Sequence, residues 1–225
     1  SGLMREMEII AHNIANAATT GFRQQGLVFS EYVQAVEGGD SLSMAAARVK
    51  KTSTAQGILT QTGNPLDLAL EGNGFFQIDT PNGVRLTRAG AFNVNAVGDI
   101  VSSDGNPVLD IGGAPINVPP GEADVKVGSD GTISLGDQLL GQIGIVEPEP
   151  GADLKRESGV LFQTDAALLP ATSGLVLQGH LEGSNVDAIS QLTRMIEVQR
   201  AYEMGQKLLD MDDERSKSAL QTLIK

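Results

Sequence analysis

His12 and His180 are the only imidazoles in this 225-residue chain, and it contains no cysteine. A metal site or a histidine-activated nucleophile would need the fold to bring residues 12 and 180 together, so each reads instead as a surface histidine. The lack of thiols excludes disulfides, thiolate nucleophiles, Cys-based zinc sites and iron–sulfur clusters. Asp212-Asp213-Glu214 offers carboxylates for acid–base work or a divalent ion, but without EF-hand spacing such a run reads as a solvated helical face. Gly72-Asn73-Gly74 has the glycines of a phosphate-cradling loop but neither the following Lys-Ser/Thr nor a helix to aim its amides, so it reads as a turn between strands. No G-x-S-x-G elbow occurs. No catalytic residue, metal ligand or cofactor is expected, and the chain is not read as an enzyme.

The bulk properties narrow the partners. A formal charge of −12 and a pI near 4.5, with no long run of Lys or Arg, repel phosphate backbones, so nucleic acid is excluded as a partner. No apolar run approaches the roughly 20 residues needed to cross a bilayer. The N-terminal stretch lacks the basic start and unbroken apolar centre of a secretory signal. The sequence opens on Ser1 rather than Met, so residues ahead of it are expected. A 40% hydrophobic content can fill a core, while 4% aromatics and 27 glycines point to aliphatic packing around many tight turns.

Three regions emerge from the periodicity. Leu3, Met7, Ile10 and Ile14 alternate in steps of four and three, predicting an amphipathic helix over Leu3–Ala17 that stops near Thr19-Thr20-Gly21. Phe29, Tyr32, Val33 and Val36 suggest a short second helix broken by Gly38-Gly39, followed by an extended linker. From Pro65 to about Gln178, alternation at Leu66, Leu68 and Leu70 and a run from Phe75 to Asp79 indicate strands, with Asn82-Gly83 as a type I′ hairpin turn. Further short strands are expected at Val84–Thr87, Ile100-Val101, Ile116–Val118, Val125–Val127 and Gln142–Val146. They are separated by turns at Asp104–Pro107, Pro119-Pro120-Gly121 and Asp130-Gly131.

Past Gly183, Ser184 and Asp187 resemble a capping box. Ile189, Leu192, Ile196, Gln199 and Glu203 then trace a helical stripe widened by Met195, Val198 and Tyr202, over a helix from Asn185 to Leu209. The fold class is therefore mixed and mainly β: a barrel- or sandwich-like domain over 63–183, a linker over 37–62, and a helical domain from 1–36 with 184–225. A helix of about 12–15 residues is marginal alone, so the N-terminal seam needs a partner helix. Composition alone also fits an extracellular binding module on a helical stalk, or a hydrolase using acidic residues.

Three motifs add a family resemblance. Ile10–Ala17 with Thr19-Thr20-Gly21-Phe22-Arg23 resembles the N-terminal motif of flagellar rod, hook and hook-associated proteins. Gly72-Asn73-Gly74-Phe75-Phe76, Leu86-Thr87-Arg88-Ala89-Gly90-Ala91-Phe92 and Gly98–Val101 resemble that family's middle signature. Leu181-Glu182-Gly183-Ser184-Asn185-Val186 and Met195–Glu203 resemble its C-terminal motif. His12 departs from the Asn usual there, and the start of the N-terminal helix is missing.

The resemblance implies a structural rod subunit with a β-structured D1 domain on a D0 domain made from both terminal helices. It implies export through the flagellar type III apparatus, assembly with copies of itself and other rod proteins into a tube in the periplasm, and no small-molecule substrate. Asn13 and Asn16 would then set register in that packing, beside Leu3, Met7, Ile10, Ile14, Ile189, Leu192, Ile196, Gln199 and Tyr202. The short segment between Phe22 and Ile58 and the run Gly136–Gly144 resemble proximal-rod more than distal-rod members.

Overall fold

A computed structural model describes residues 2–34, 42–119 and 125–223. In chain order it runs α1 (Gly2–Ala15), β1 (Gln25–Gln34), β2 (Leu42–Thr52), β3 (Leu59–Gln61), β4 (Leu68–Glu71), β5 (Phe75–Thr80) and β6 (Gly83–Thr87). Next come β7 (Asn93–Val94), β8 (Ile100–Val101), β9 (Val125–Val127), β10 (Thr132–Leu135), β11 (Gln138–Gln142) and β12 (Ile145–Pro148). The chain ends with β13 (Lys155–Ser158), β14 (Leu161–Gln163), β15 (Leu168–Pro170), β16 (Leu175–Gln178), β17 (His180–Glu182) and α2 (Ala188–Leu223). These elements form two compact units: Ser1–Ala15 with Gln25–Lys51 and Asp187–Lys225, and Asn16–Gln24 with Thr52–Val186.

In the first unit α1 packs on α2. Arg194 pairs with Glu6 at 2.7 Å, and Asn13 Nδ2 donates to Gln191 Oε1 at 3.1 Å, so residue numbers fall on α2 as they rise on α1 and the helices are antiparallel. The buried line on α1 is Ile9, Ile10 and Asn13, with Leu3, Met7 and Ile14 half-buried. It is displaced from the expected seam because a straight helix of 3.6 residues per turn drifts from a strict heptad. α1 ends at Ala15, before the expected Ala17. Its 14 residues span roughly 21 Å and the 36 of α2 roughly 54 Å at 1.5 Å per residue, so much of α2 has no counterpart on α1.

Two expectations in this unit are corrected. Phe29, Tyr32 and Val33 lie in strand β1 rather than a helix, and much of the expected linker is its partner β2. Aromatic and β-branched residues favour a pleated strand, and pairing satisfies backbone groups that an isolated extended linker leaves to water. Val36, Gly38-Gly39 and Pro120-Gly121 lie outside the described residues. The α2 cap is Asp187, not Ser184: its Oδ1 accepts the amides of Ile189 at 3.1 Å and Ser190 at 3.5 Å.

The second unit carries a six-stranded sheet ordered β13-β14-β6-β5-β12-β15 and a three-stranded sheet β11-β10-β9. The pairs β16-β4, β17-β3 and β7-β8 complete it, and none of the described sheets closes into a barrel. The expected strand Gln142–Val146 is split between two sheets at Gly144, where an added Cβ would lie 2.6 Å from Asp110 O. Ile116 and Val118 are buried, but their segment forms no extended strand: the bridge Asp99↔Asn117 and the Ile116 amide, which donates to Val108 O at 3.2 Å, join it to its neighbours. The β5–β6 turn is Pro81-Asn82 and not type I′: proline cannot take positive φ, and Gly83 adopts φ 96° instead. The core gathers Leu68, Leu70, Phe76, Ile78, Phe92 and Ile100 with neighbours from β10 and β16, and a smaller cluster holds Leu86, Val146 and Phe162.

Candidate functional site

Within the second unit, two arginines of the sequence motifs meet on one buried motif carboxylate. Glu182, 0% exposed at the end of β17, meets Arg23 Nη2 at 2.7 Å through Oε1 and Arg88 Nε at 3.0 Å through Oε2. The Gly57 amide donates to the same Oε1 at 3.0 Å, and the Gly21 amide donates to the Glu182 backbone carbonyl at 2.7 Å. Each guanidinium finishes on backbone carbonyls. Arg23 Nη1 donates to Thr54 O at 3.1 Å, and Arg88 Nη1 and Nη2 donate to Gly74 O at 2.9 Å and Gly72 O at 2.6 Å.

The Gly72-Asn73-Gly74 loop is thus a cradle of opposite polarity to a phosphate loop, turning carbonyl oxygens toward a cation. Positive φ at both glycines, 89° and 114°, makes that possible. Burial pushes Arg23 down from its ordinary value and Arg88 down to about 10, with Glu182 pulling both back up. At that value Arg88 is a cation at neutral pH.

Asn185 closes the same junction. Its Oδ1 accepts the Gln24 amide at 2.6 Å, its Nδ2 donates to Ala55 O at 2.6 Å, and its own amide donates to Phe22 O at 3.2 Å. The segments pack so closely that a Cβ on Gly21 would lie 2.3 Å from Ala89 N, and one on Gly90 1.6 Å from Leu68 O. The Arg156 guanidinium sits 4.3 Å from the Phe22 ring centroid and 4.7 Å from that of Phe162, and also donates to Arg23 O. Its guanidinium is likewise pushed down to about 10 by burial.

Gly21, Phe22, Gly72, Gly74, Arg88, Gly90 and Asn185 therefore meet, or hold the segments that meet, at this junction. Phe75 borders it, with Arg88 5.9 Å from its ring centroid. Phe76 and Phe92 stack edge to face in the core at 5.2 Å, and Thr87 ties β6 to Val160 O at 3.1 Å. Ser184 Oγ accepts the Val186 amide at 3.2 Å, a local turn contact. Sequence reasoning missed Arg23, Glu182 and Arg156 as functional positions, because a charge in a motif reads by default as solvated. The available signal was an Arg beside Phe22 and a Glu between Leu181 and Gly183, charges embedded among residues that pack.

The first unit offers a different surface. On α2, Val198 is buried and Gln191, Met195 and Tyr202 are half-buried. Ile189, Leu192 and Ile196 are 77%, 51% and 52% exposed, and Gln199 is exposed beside them. The sequence stripe thus divides into an inward line and an outward apolar line. Asn13 holds the start of β1, donating to Gln25 O at 2.8 Å and accepting the Gln25 amide at 3.0 Å. Asn16, in the second unit, accepts the Thr19 hydroxyl at 3.2 Å.

His180 Nδ1 lies 2.9 Å from Gln178 O, His12 sits at an exposed position on α1, and Asp213 pairs with Lys217 at 2.7 Å on the exposed face of α2.

Comparison with known proteins finds matches that span the motifs. The FlgF flagellar basal-body rod protein of Mesorhizobium japonicum is 40% identical over 98% of this chain and 92% of its own length. The chain belongs to the flagellar basal-body rod protein family. FlgF of Caulobacter vibrioides is 38% identical over 98% of the chain and 93% of its own length, and FlgG of Bacillus subtilis 34% over 93% and 90%. Residues 69–135 match the family described as flagellar hook protein FlgE/F/G D1 domain, and residues 177–222 the flagellar basal body rod FlgEFG protein C-terminal family. The first match holds the Arg88 cradle and the second holds Glu182 and Asn185.

Proposed function

We propose that this chain is a structural subunit of the flagellar basal-body rod, working by ordered assembly rather than by turnover, and that its place is in the proximal rod. The observation that carries the assembly reading is the outward apolar line Ile189, Leu192 and Ile196 on α2, in a family whose members are rod proteins. Apolar side chains at helical spacing gain free energy only when a partner removes them from water.

In this reading α1 and α2 form the D0 part, and residues 63–183 form the D1 body, sandwich-like in its packed sheets. The assembly residues are Leu3, Met7, Ile10, Asn13, Ile14, Asn16, Ile189, Leu192, Ile196, Gln199 and Tyr202. The partners are copies of the chain and other rod proteins in the periplasm, reached through the flagellar export apparatus. A distal-rod place is the second reading, favoured by FlgG of Agrobacterium fabrum at 37% identity over 92% of the chain.

Substituting Asp for Ile189, Leu192 and Ile196 together tests assembly. The purified variant should keep the unfolding midpoint of the parent while basal bodies isolated from the complemented strain lack the subunit. Incorporation at the parental level would overturn the assembly role of this face. Labelling the subunit in intact basal bodies separates the proximal from the distal place.

A further inference from the structure

The second unit has a buried carboxylate on which three distant stretches depend. Arg23 belongs to the stretch that continues from α1, Arg88 follows β6, and Glu182 ends β17 just before the stretch that leads into α2. If residues 181–185 leave, two guanidiniums that are 3% and 2% exposed lose the carboxylate they pair with, Arg88 keeping only the weaker attraction of Glu147, and poorly compensated buried charge is among the most costly defects in a fold. The cradle of Gly72 and Gly74 carbonyls supplies dipoles to Arg88 but no countercharge. The glycines make docking close as well as charged: a Cβ on Gly57 would lie 2.0 Å from Gly183 O.

We propose that Glu182 is a latch that sets the roots of both terminal helices in the free subunit, before any partner is present. Docking of 181–185 orders the 21–24 stretch and the Gly57 region in the same step, so the chain entering α2 and the chain leaving α1 become fixed together. Glu182 acts here as a positioning residue. The inference does not depend on which rod position the subunit takes.

Hydrogen exchange on the monomeric full-length chain reads this out. The reporters are the amides of Gly21, Gln24, Gly57 and Asn185, which bond to Glu182 O, Asn185 Oδ1, Glu182 Oε1 and Phe22 O. All four should be protected in the parent, and E182Q should lower their protection together, by about tenfold or more and by a common factor. Loss at Gly57 alone would reduce Glu182 to a local hydrogen-bond partner, and lack of protection at all four in the parent would mean that the roots wait for partners; either result overturns the latch.

If E182Q does not fold, the triple variant R23M/R88M/E182M decides, because removing both arginines together with their shared carboxylate leaves neither guanidinium without its partner. A folded triple variant whose root amides exchange faster than the parent's while β5 and β6 stay protected supports the latch. A triple variant that also fails to fold, or that keeps parental protection at the roots, overturns it.

Discussion

The Glu182 junction in one unit and the outer line of α2 in the other solve opposite problems. At the junction every segment is already in place: opposite charges meet, carbonyls accept from Arg23 Nη1 and from both terminal nitrogens of Arg88, and glycines let backbones touch. On α2 the apolar residues Ile189, Leu192 and Ile196 face water although Val198 on the same helix is buried. One set is satisfied by its own chain and the other is not. Substitution at the first should therefore be read in stability, and at the second in assembly with little change in stability.

The strongest test of that contrast is Gly21→Ala. At φ 70°, with the new Cβ 2.3 Å from Ala89 N, the junction must open, and a loss on the order of 3–5 kcal/mol is expected in urea unfolding. A loss within 1 kcal/mol would show that the junction is looser than its contacts imply. Arg156→Ala comes next, at about 2 kcal/mol, because the side chain covers two aromatic rings as well as donating to Arg23 O. Arg156→Lys should recover only part, since an ammonium cannot lie flat between two rings.

A smaller effect is expected at the start of α2. Hydrogen bonds from Ser190 and Ile189 hold the Asp187 carboxyl below its usual value of 3.8. A depressed carboxylate contributes stability that is present above the unfolded value and disappears as pH falls through the folded one. Helical circular dichroism should therefore drop on acidification below about pH 4 in the parent and lack that component in Asp187→Ala, which begins with lower helicity at pH 7. Smallest in stability is Ile196→Asp, within about 0.5 kcal/mol because the site is already exposed. A larger loss would mean that this face packs within its own unit.

The existence of the terminal helices and of the short-strand middle follows from periodicity and turn residues, which act over a few neighbours. Phe75 to Asp79, Ile100-Val101 and Val125 to Val127 are strands as read, because alternation and flanking turn residues act locally. Gln25–Gln34 and Leu42–Thr52 are strands in place of the expected helix and linker, because their strand character is realised only by pairing β1 with β2. The split at Gly144 and the openness of the described sheets are likewise invisible to a linear reading, since sheet membership depends on contacts far apart in sequence.

For the site, the motifs marked the right stretches, but not that Arg23, Arg88 and Glu182 share one point. Each is an ordinary charged residue in a linear reading, and only burial turns three charges into mutual requirements. The α2 stripe shows the same limit from the other side. Its sequence determined that apolar residues recur at helical spacing, which is a property of 3.6 residues per turn. Only the tertiary structure decided that Met195, Val198 and Tyr202 turn inward while Ile189, Leu192 and Ile196 turn outward, because a helix covered along one line leaves the adjacent line in water.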